Sequence, residues 1–146
     1  MVSSSELLSE NNNYQADNIA DKKVETAWVE GESDDGIGEA VKVVTYKYRV
    51  GSLEKYEVEK EVSGIKIING YAKSEEIYLA NNRVRKIKLE FSNGECIESE
   101  LKDKELGFQT IIFSKPISTR FVKITIIDVY KGNKHNDTCV SEVELF

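Results

Sequence analysis

The chain has 146 residues, 40% hydrophobic and 32% charged, with a net charge of −6, which suits one soluble domain with a real core. The acidic balance sets aside a general nucleic-acid binder, which carries a net basic face. No apolar run is long enough to cross a membrane, so direct insertion is not expected, and no charged start followed by an apolar stretch reads as a signal peptide.

The segment from Tyr14 to Trp28 reads as a polar loop, one helical turn over 16–20, an acidic bend at Asp21, and a strand opening on Thr26-Ala27-Trp28. Strands are predicted over 41–48 and 56–68, with Val50-Gly51-Ser52-Leu53 as the tip of a long charged hairpin between them. Ser74 offers an N-cap hydroxyl, and Glu75 and Glu76 put acids in a first turn, so a short helix or helical loop runs to Asn82. Over 85–91, Ile87, Leu89 and Phe91 share one face while Lys86, Lys88 and Glu90 take the other, the pattern of a half-buried antiparallel strand. Ser92-Asn93-Gly94 then turns the chain into a return strand over 96–101. Further strands are predicted over 108–113, 121–130 and 139–146. Many strands at turn-punctuated spacing mean an all-β sandwich of antiparallel sheets. Nothing marks an internal repeat or a boundary, so 1–146 is one domain.

Catalytic signatures are missing. The single histidine, His135, cannot make a histidine zinc site, and no Gly-x-Ser-x-Gly elbow exists. Gly36-Ile37-Gly38 lacks the third glycine of a dinucleotide fingerprint. Asp34-Asp35 and Glu75-Glu76 are sequence neighbours, read as solvated loop and helix start rather than the facing carboxylates of a glycosidase. Cys96 and Cys139 are read as half-buried thiols rather than a disulfide.

Five segments carry a family likeness: 21–28, 29–39, Gly64-Ile65-Lys66-Ile67-Ile68-Asn69-Gly70-Tyr71, 82–86, and Asp137-Thr138-Cys139-Val140-Ser141-Glu142. Their order, with Trp28-Val29-Glu30-Gly31, Gly36-Ile37-Gly38-Glu39 and Ile68-Asn69-Gly70-Tyr71-Ala72-Lys73, resembles the bacterial NADase-type glycan-binding domain. That is a discoidin-like (F5/8 type C, galactose-binding-domain-like) module. The resemblance implies a jelly-roll β-sandwich and a non-catalytic carbohydrate-binding role in an exported or surface bacterial protein, with other domains of a larger chain as partners. The alternative is a protein–protein interaction module, in which the hairpin over 46–61, an insertion relative to the family, docks a partner.

Trp28 is assigned to the core, as the resemblance also implies. The resemblance further implies a structural calcium ion near the N-terminal bend, with Asp21, Thr26 and Glu142 at the ligand positions. Lys23 stands where relatives carry Asp or Asn, and its ammonium is the alternative, pairing with Asp21 and Glu142 in place of the ion. The ligand surface is expected on loops at one sheet end. Asn69, Tyr71 and Lys73 follow one strand; Tyr78, Asn82 and Arg83 lie nearby; Tyr130, His135 and Asp137 sit before the last strand. Aromatic faces suit sugar C–H surfaces and polar groups suit hydroxyls, and Arg83 adds paired donors for an acidic sugar. For Asn69 and Asp137 the competing reading is local hydrogen bonding that shapes the loops. The expected binding set is Asn69, Tyr71, Lys73, Tyr78, Arg83 and His135, and the expected ligand is a glycan or another cell-surface molecule.

Overall fold

The structure is a computed structural model that describes residues 2–3, 5–6 and 13–146. Alternating apolar side chains build its strands. They are β1 (Val2–Ser3), β2 (Trp28–Val29), β3 (Ala40–Val44), β4 (Tyr46–Tyr48), β5 (Lys55–Glu57), β6 (Lys60–Asn69), β7 (Asn82–Phe91), β8 (Cys96–Glu100), β9 (Gln109–Thr119), β10 (Phe121–Tyr130) and β11 (Thr138–Leu145). The predicted turn is a 3-10 turn over Ala16–Ala20, and α1 spans Glu75–Ala80 with Ser74 Oγ accepting the Ile77 N–H. Beyond the expected 108–113 strand, β9 continues to Thr119 because Lys60–Val62 pair with Ile117–Thr119 across a bulge at Gly64.

The hydrogen-bonded order is β1-β3-β10-β7-β11-β6-β9, with β8 on β7 and β2 on β11. Every neighbouring pair is antiparallel except β7–β11, which meet in parallel at only two positions, Thr138 with Asn82 and Cys139 with Arg83. That short link joins two layers. One is β1-β3-β10-β7-β8 and the other is β2-β11-β6-β9. Between them lie Val41, Ile87, Leu89, Phe91, Val122, Ile124 and Ile126 from the first layer, and Val62, Ile65, Ile67, Phe113, Ile117 and Val143 from the second. The Phe91 and Phe113 rings cross this gap edge to face, 5.2 Å apart. Trp28, Leu89 and Phe91, read as apolar-face or core residues from the sequence, are buried, as are Ile67, Ile124 and Val143. Trp28 also donates its indole N–H to the Ser5 carbonyl. Such burial is the main favourable term holding the layers together. Cys139 is buried and Cys96 exposed, and both thiols are free.

The two ends of the sandwich differ. At one end lie the close of β6, the starts of β7 and β11, α1, and the loop over 131–137. At the other lie the starts of β6 and β10, the end of β7, and the β4–β5 hairpin. The ten residues of β6 span about 30 Å between them.

Candidate functional site

The end with α1 is shaped by backbone bookkeeping. A helix leaves its last carbonyls without internal partners. Here the loop before β11 supplies them. Asn133 N–H donates to Leu79 O, and the amides of Lys134 and His135 both donate to Ala80 O. The approach is so close that a Cβ on Gly132 would fall 2.4 Å from that Ala80 oxygen. Asn82 pins the same loop, accepting the Gly132 N–H at 2.8 Å and donating to Asn136 O at 2.7 Å. Lys131 Nζ reaches across to Asp35 at 2.7 Å and holds that carboxyl below its ordinary range, chiefly through this hydrogen bond.

These contacts frame a cavity of about 430 Å³, lined by Tyr14, Val29, Tyr71, Lys73, Glu76, Ile77, Ala80, Asn81, Lys134, His135 and Asp137. Tyr71 and Tyr14 meet edge to face, 6.3 Å apart, and the Tyr71 hydroxyl donates to Glu25 O. Burial raises both phenols above their usual range, so both are neutral at physiological pH. Gly70, at φ +73°, turns the chain from β6 into this wall, and any side chain there would strike Arg83 and Tyr78. Ser141 Oγ donates to Gly70 O and accepts the Ala72 N–H, fixing the turn. Among the described residues, the side chains of Lys73, Glu76, Lys134, His135 and Asp137 have no hydrogen bond or ion pair within the protein. Two lysines, a histidine and two carboxylates therefore line one opening with their polar groups uncommitted, beside the two tyrosine rings.

Of the residues expected to bind ligand, Tyr71, Lys73 and His135 are brought together here, joined by Asp137. Three others are not available. Asn69 is fully buried, and its amide donates to Val84 O and accepts the Val84 N–H, imitating a strand neighbour. Tyr78 is buried beneath the Arg83 guanidinium. Arg83 is 4% exposed and makes a two-pronged ion pair with Asp103, both bonds 3.0 Å. Its Nη1 donates to the carbonyls of Asn81, Leu79 and Lys131. The guanidinium is consumed inside the protein, which corrects the expectation that it greets an acidic sugar. Tyr130 is likewise committed, its hydroxyl donating to Leu101 O. Tyr14, Glu76 and Lys134 are cavity residues that the sequence reading did not single out. Tyr14 arrives from 57 positions away in sequence, and no local periodicity could announce it.

The expected metal ligands also converge. Asp21 accepts the Thr26 hydroxyl at 2.7 Å and the Lys23 N–H at 2.9 Å. Glu142 is 3% exposed, and its Oε2 is buried without a hydrogen-bond partner. Burial, with the Asp21 charge beside it, raises the Glu142 carboxyl to about 7, against the pull of the Lys22 and Lys23 backbone N–H groups. An orphaned buried carboxylate oxygen beside a second carboxylate and a hydroxyl supplies hard oxygens of the kind calcium takes, but no third carboxylate joins them among the described residues, so backbone carbonyls such as that of Lys23 would have to complete the six to eight. The alternative in which the Lys23 ammonium replaces the ion is not realised. Among the described residues Lys23 pairs with neither carboxylate through its side chain and meets Asp21 through its backbone N–H.

Comparison with known proteins agrees with this architecture. A family model described as the NAD glycohydrolase translocation F5/8 type C domain matches residues 1–146. A search of curated proteins finds no match. Among solved structures, the fold is similar to the family 32 carbohydrate-binding module of Clostridium perfringens NanJ in complex with galactose. The TM-score is 0.64 at 19% identity, covering 99% of this chain and 90% of that one. It is also similar to CpGH89CBM32-5 from Clostridium perfringens in complex with GalNAc-β-1,3-galactose. Here the TM-score is 0.67 at 16% identity, with 99% and 92% covered. A mycobacterial arabinofuranosyltransferase, AftD, contains a similar unit (TM-score 0.66, 16% identity, 98% of this chain), which makes up 10% of that protein. The chain belongs to the NAD glycohydrolase translocation F5/8 type C domain family.

Proposed function

We propose that this domain is a non-catalytic carbohydrate-binding module, part of a larger exported or surface bacterial protein, and that it holds its glycan in the Tyr14–Tyr71 cavity. The observation that carries this reading is the set of uncommitted polar side chains around that opening. Hydroxyls of a sugar need donors and acceptors that are not already satisfied, and Lys73, Glu76, Lys134, His135 and Asp137 provide both. Tyr14 and Tyr71 supply aromatic surface for the apolar side of the ring. The loops lie on a rigid sandwich, where such folds place binding residues. The galactose-bearing modules of similar fold support the ligand class. A site of this size holds one or two sugar rings, and its affinity is set near the millimolar range, about −4 kcal/mol.

A structural calcium ion at Asp21, Thr26 and Glu142 belongs to the same proposal. It would satisfy the orphaned Glu142 oxygen and neutralise the facing carboxylates, tying the last strand to the N-terminal bend.

NMR titration with galactose, a GalNAc-containing disaccharide and an acidic sugar tests the reading. Shifts are expected at Tyr71, Lys73 and His135, abolished by Tyr71→Ala with the fold intact. Saturating sugar that moves no resonance around the cavity overturns it.

A further inference from the structure

The β4–β5 hairpin lies at the end of the sandwich opposite the sugar cavity, where Tyr46, Lys55, Tyr56 and Glu57 line an open cleft shared with Asp17, Ala20 and Asp21. It forms a two-stranded sheet of its own, and every residue of both strands is exposed. Such a hairpin is marginal alone in water, and this one is anchored at its base. Thr45 donates its N–H to Arg120 O and accepts the Val58 N–H, and its Oγ contacts the carbonyls of Thr119 and Arg120. Beyond the base the hairpin offers Tyr48 and Tyr56, each about half exposed, and a tip with Val50 at 100% and Leu53 at 93% exposure.

Among the described residues no strand pairs with either outer edge of the hairpin, and the two edges are not equivalent. Tyr46 faces Glu57, Lys47 faces Tyr56 and Tyr48 faces Lys55. Val58 N–H bonds Thr45 O and Arg49 N–H bonds Glu54 O. Hydrogen-bonded and non-bonded pairs alternate along antiparallel strands. Lys47–Tyr56 is therefore the bonded pair between them, and the backbone groups of Lys55 and Glu57 point outward from β5. Consider each edge meeting a second copy in antiparallel fashion. On the β4 edge, centred on Lys47, like charge meets like. On the β5 edge, centred on Tyr56, Lys55 lies opposite the second copy's Glu57 and Glu57 opposite the second copy's Lys55. The outward N–H and C=O groups of both residues then pair across the axis, and the two Tyr56 rings sit side by side. Opposite charges facing across strands are favourable, and like charges there are not. The Lys55 ammonium is held over the Tyr46 ring at 4.8 Å, which keeps it on the same hairpin face as Glu57.

We propose that the β5 edge is a self-association surface whose occupant is a second copy of this chain, joined as a two-fold four-stranded sheet. A symmetric interface of this kind is self-complementary by construction. The sugar cavities then lie at the far ends of the pair and face apart. Sites that face apart would bridge two ligand-bearing surfaces rather than double the hold on one. The dimer itself does not depend on the sugar reading.

Sedimentation velocity from ~10 μM to ~1 mM tests it, a range suited to a small interface. Wild type is expected to show a concentration-dependent monomer–dimer equilibrium that weakens with added salt. Lys55→Glu sets Glu against Glu, and Glu57→Lys sets Lys against Lys. Each is expected to weaken association about tenfold, since two symmetric pairs turn repulsive. The double swap Lys55→Glu/Glu57→Lys restores opposite charges and is expected to return to within about threefold of wild type. Circular dichroism and melting report the fold of each variant, and both side chains are exposed, so neither should change. A wild type monomeric across the range overturns the proposal, as does a dimer indifferent to both single swaps. Association with vesicles or another protein, without self-association, assigns the hairpin to that partner instead.

Discussion

Replacing Arg83 by Met distinguishes a structural guanidinium from a ligand-binding one. Met keeps the aliphatic bulk over Tyr78 and removes every hydrogen bond. Two charge-assisted bonds to Asp103 are lost, and the carbonyls of Asn81, Leu79 and Lys131 lose a donor. Breaking a buried ion pair from one side costs 3–5 kcal/mol. The Asp103 side chain is 26% exposed and can rehydrate in part, so the lower end, about 3 kcal/mol, applies. For a domain near 150 residues each kcal/mol moves the midpoint by roughly 2–4 °C, which predicts a fall of about 6–12 °C. Asp103→Asn should cost a comparable amount, because it leaves a buried guanidinium with carbonyl partners alone. The double variant should cost less than the sum, which thermal melting by circular dichroism measures as a coupling energy. The acid limb carries a second signature. Burial is the largest single influence on the Asp103 carboxyl and pushes it up, but the Arg83 hydrogen bond, the Lys104 backbone N–H and the Arg83 and Lys104 charges together outweigh it, so the folded value lies below the ordinary 3.8. A depressed carboxyl contributes stability above its unfolded value, and that contribution is lost as pH falls through the folded value. Arg83→Met should therefore flatten the loss of stability below about pH 4. A variant that melts with wild type but no longer responds to sugar would refute the structural assignment.

Trp28→Ala should cost about 3–5 kcal/mol, since it empties a buried aromatic site between the layers; an unchanged melting temperature with lost sugar binding would make Trp28 a stacking platform instead. EDTA should lower the melting midpoint and added calcium should raise it, by mass action on the folded state, and Glu142→Gln should abolish the response; midpoints indifferent to both leave no ion at Asp21 and Glu142. The Asp35 carboxyl is depressed chiefly by the Lys131 hydrogen bond, so its contribution is present above about pH 4 and lost on acidification. Lys131→Met should remove that part of the acid dependence and loosen the 131–137 loop, read as faster amide exchange at Asn133 to His135.

The sandwich was legible because burial on one face of a strand writes itself into every second residue. Ile87, Leu89 and Phe91 declared a face before any partner was known, and Ser74-Glu75-Glu76 declared the helix start. The hairpin was equally local, carried by charged and aromatic residues around Gly51-Ser52. The binding end was legible only as a region. Tyr71, Lys73 and His135 were picked as residue types on loops, and they do share a wall. Arg83 looked the same in sequence, yet it is buried, because the parallel link between β7 and β11 draws its strand start inward and Asp103 arrives twenty positions later to meet its charge. Tyr14 carried no signal, because its partner Tyr71 is brought to it only when β2 pairs with β11. Sequence by itself determined which segments are strands and which faces are apolar, since those follow from local alternation. Tertiary structure alone decided which polar side chains are spent on internal carbonyls and which remain for a ligand, because hydrogen-bond satisfaction depends on partners distant along the chain.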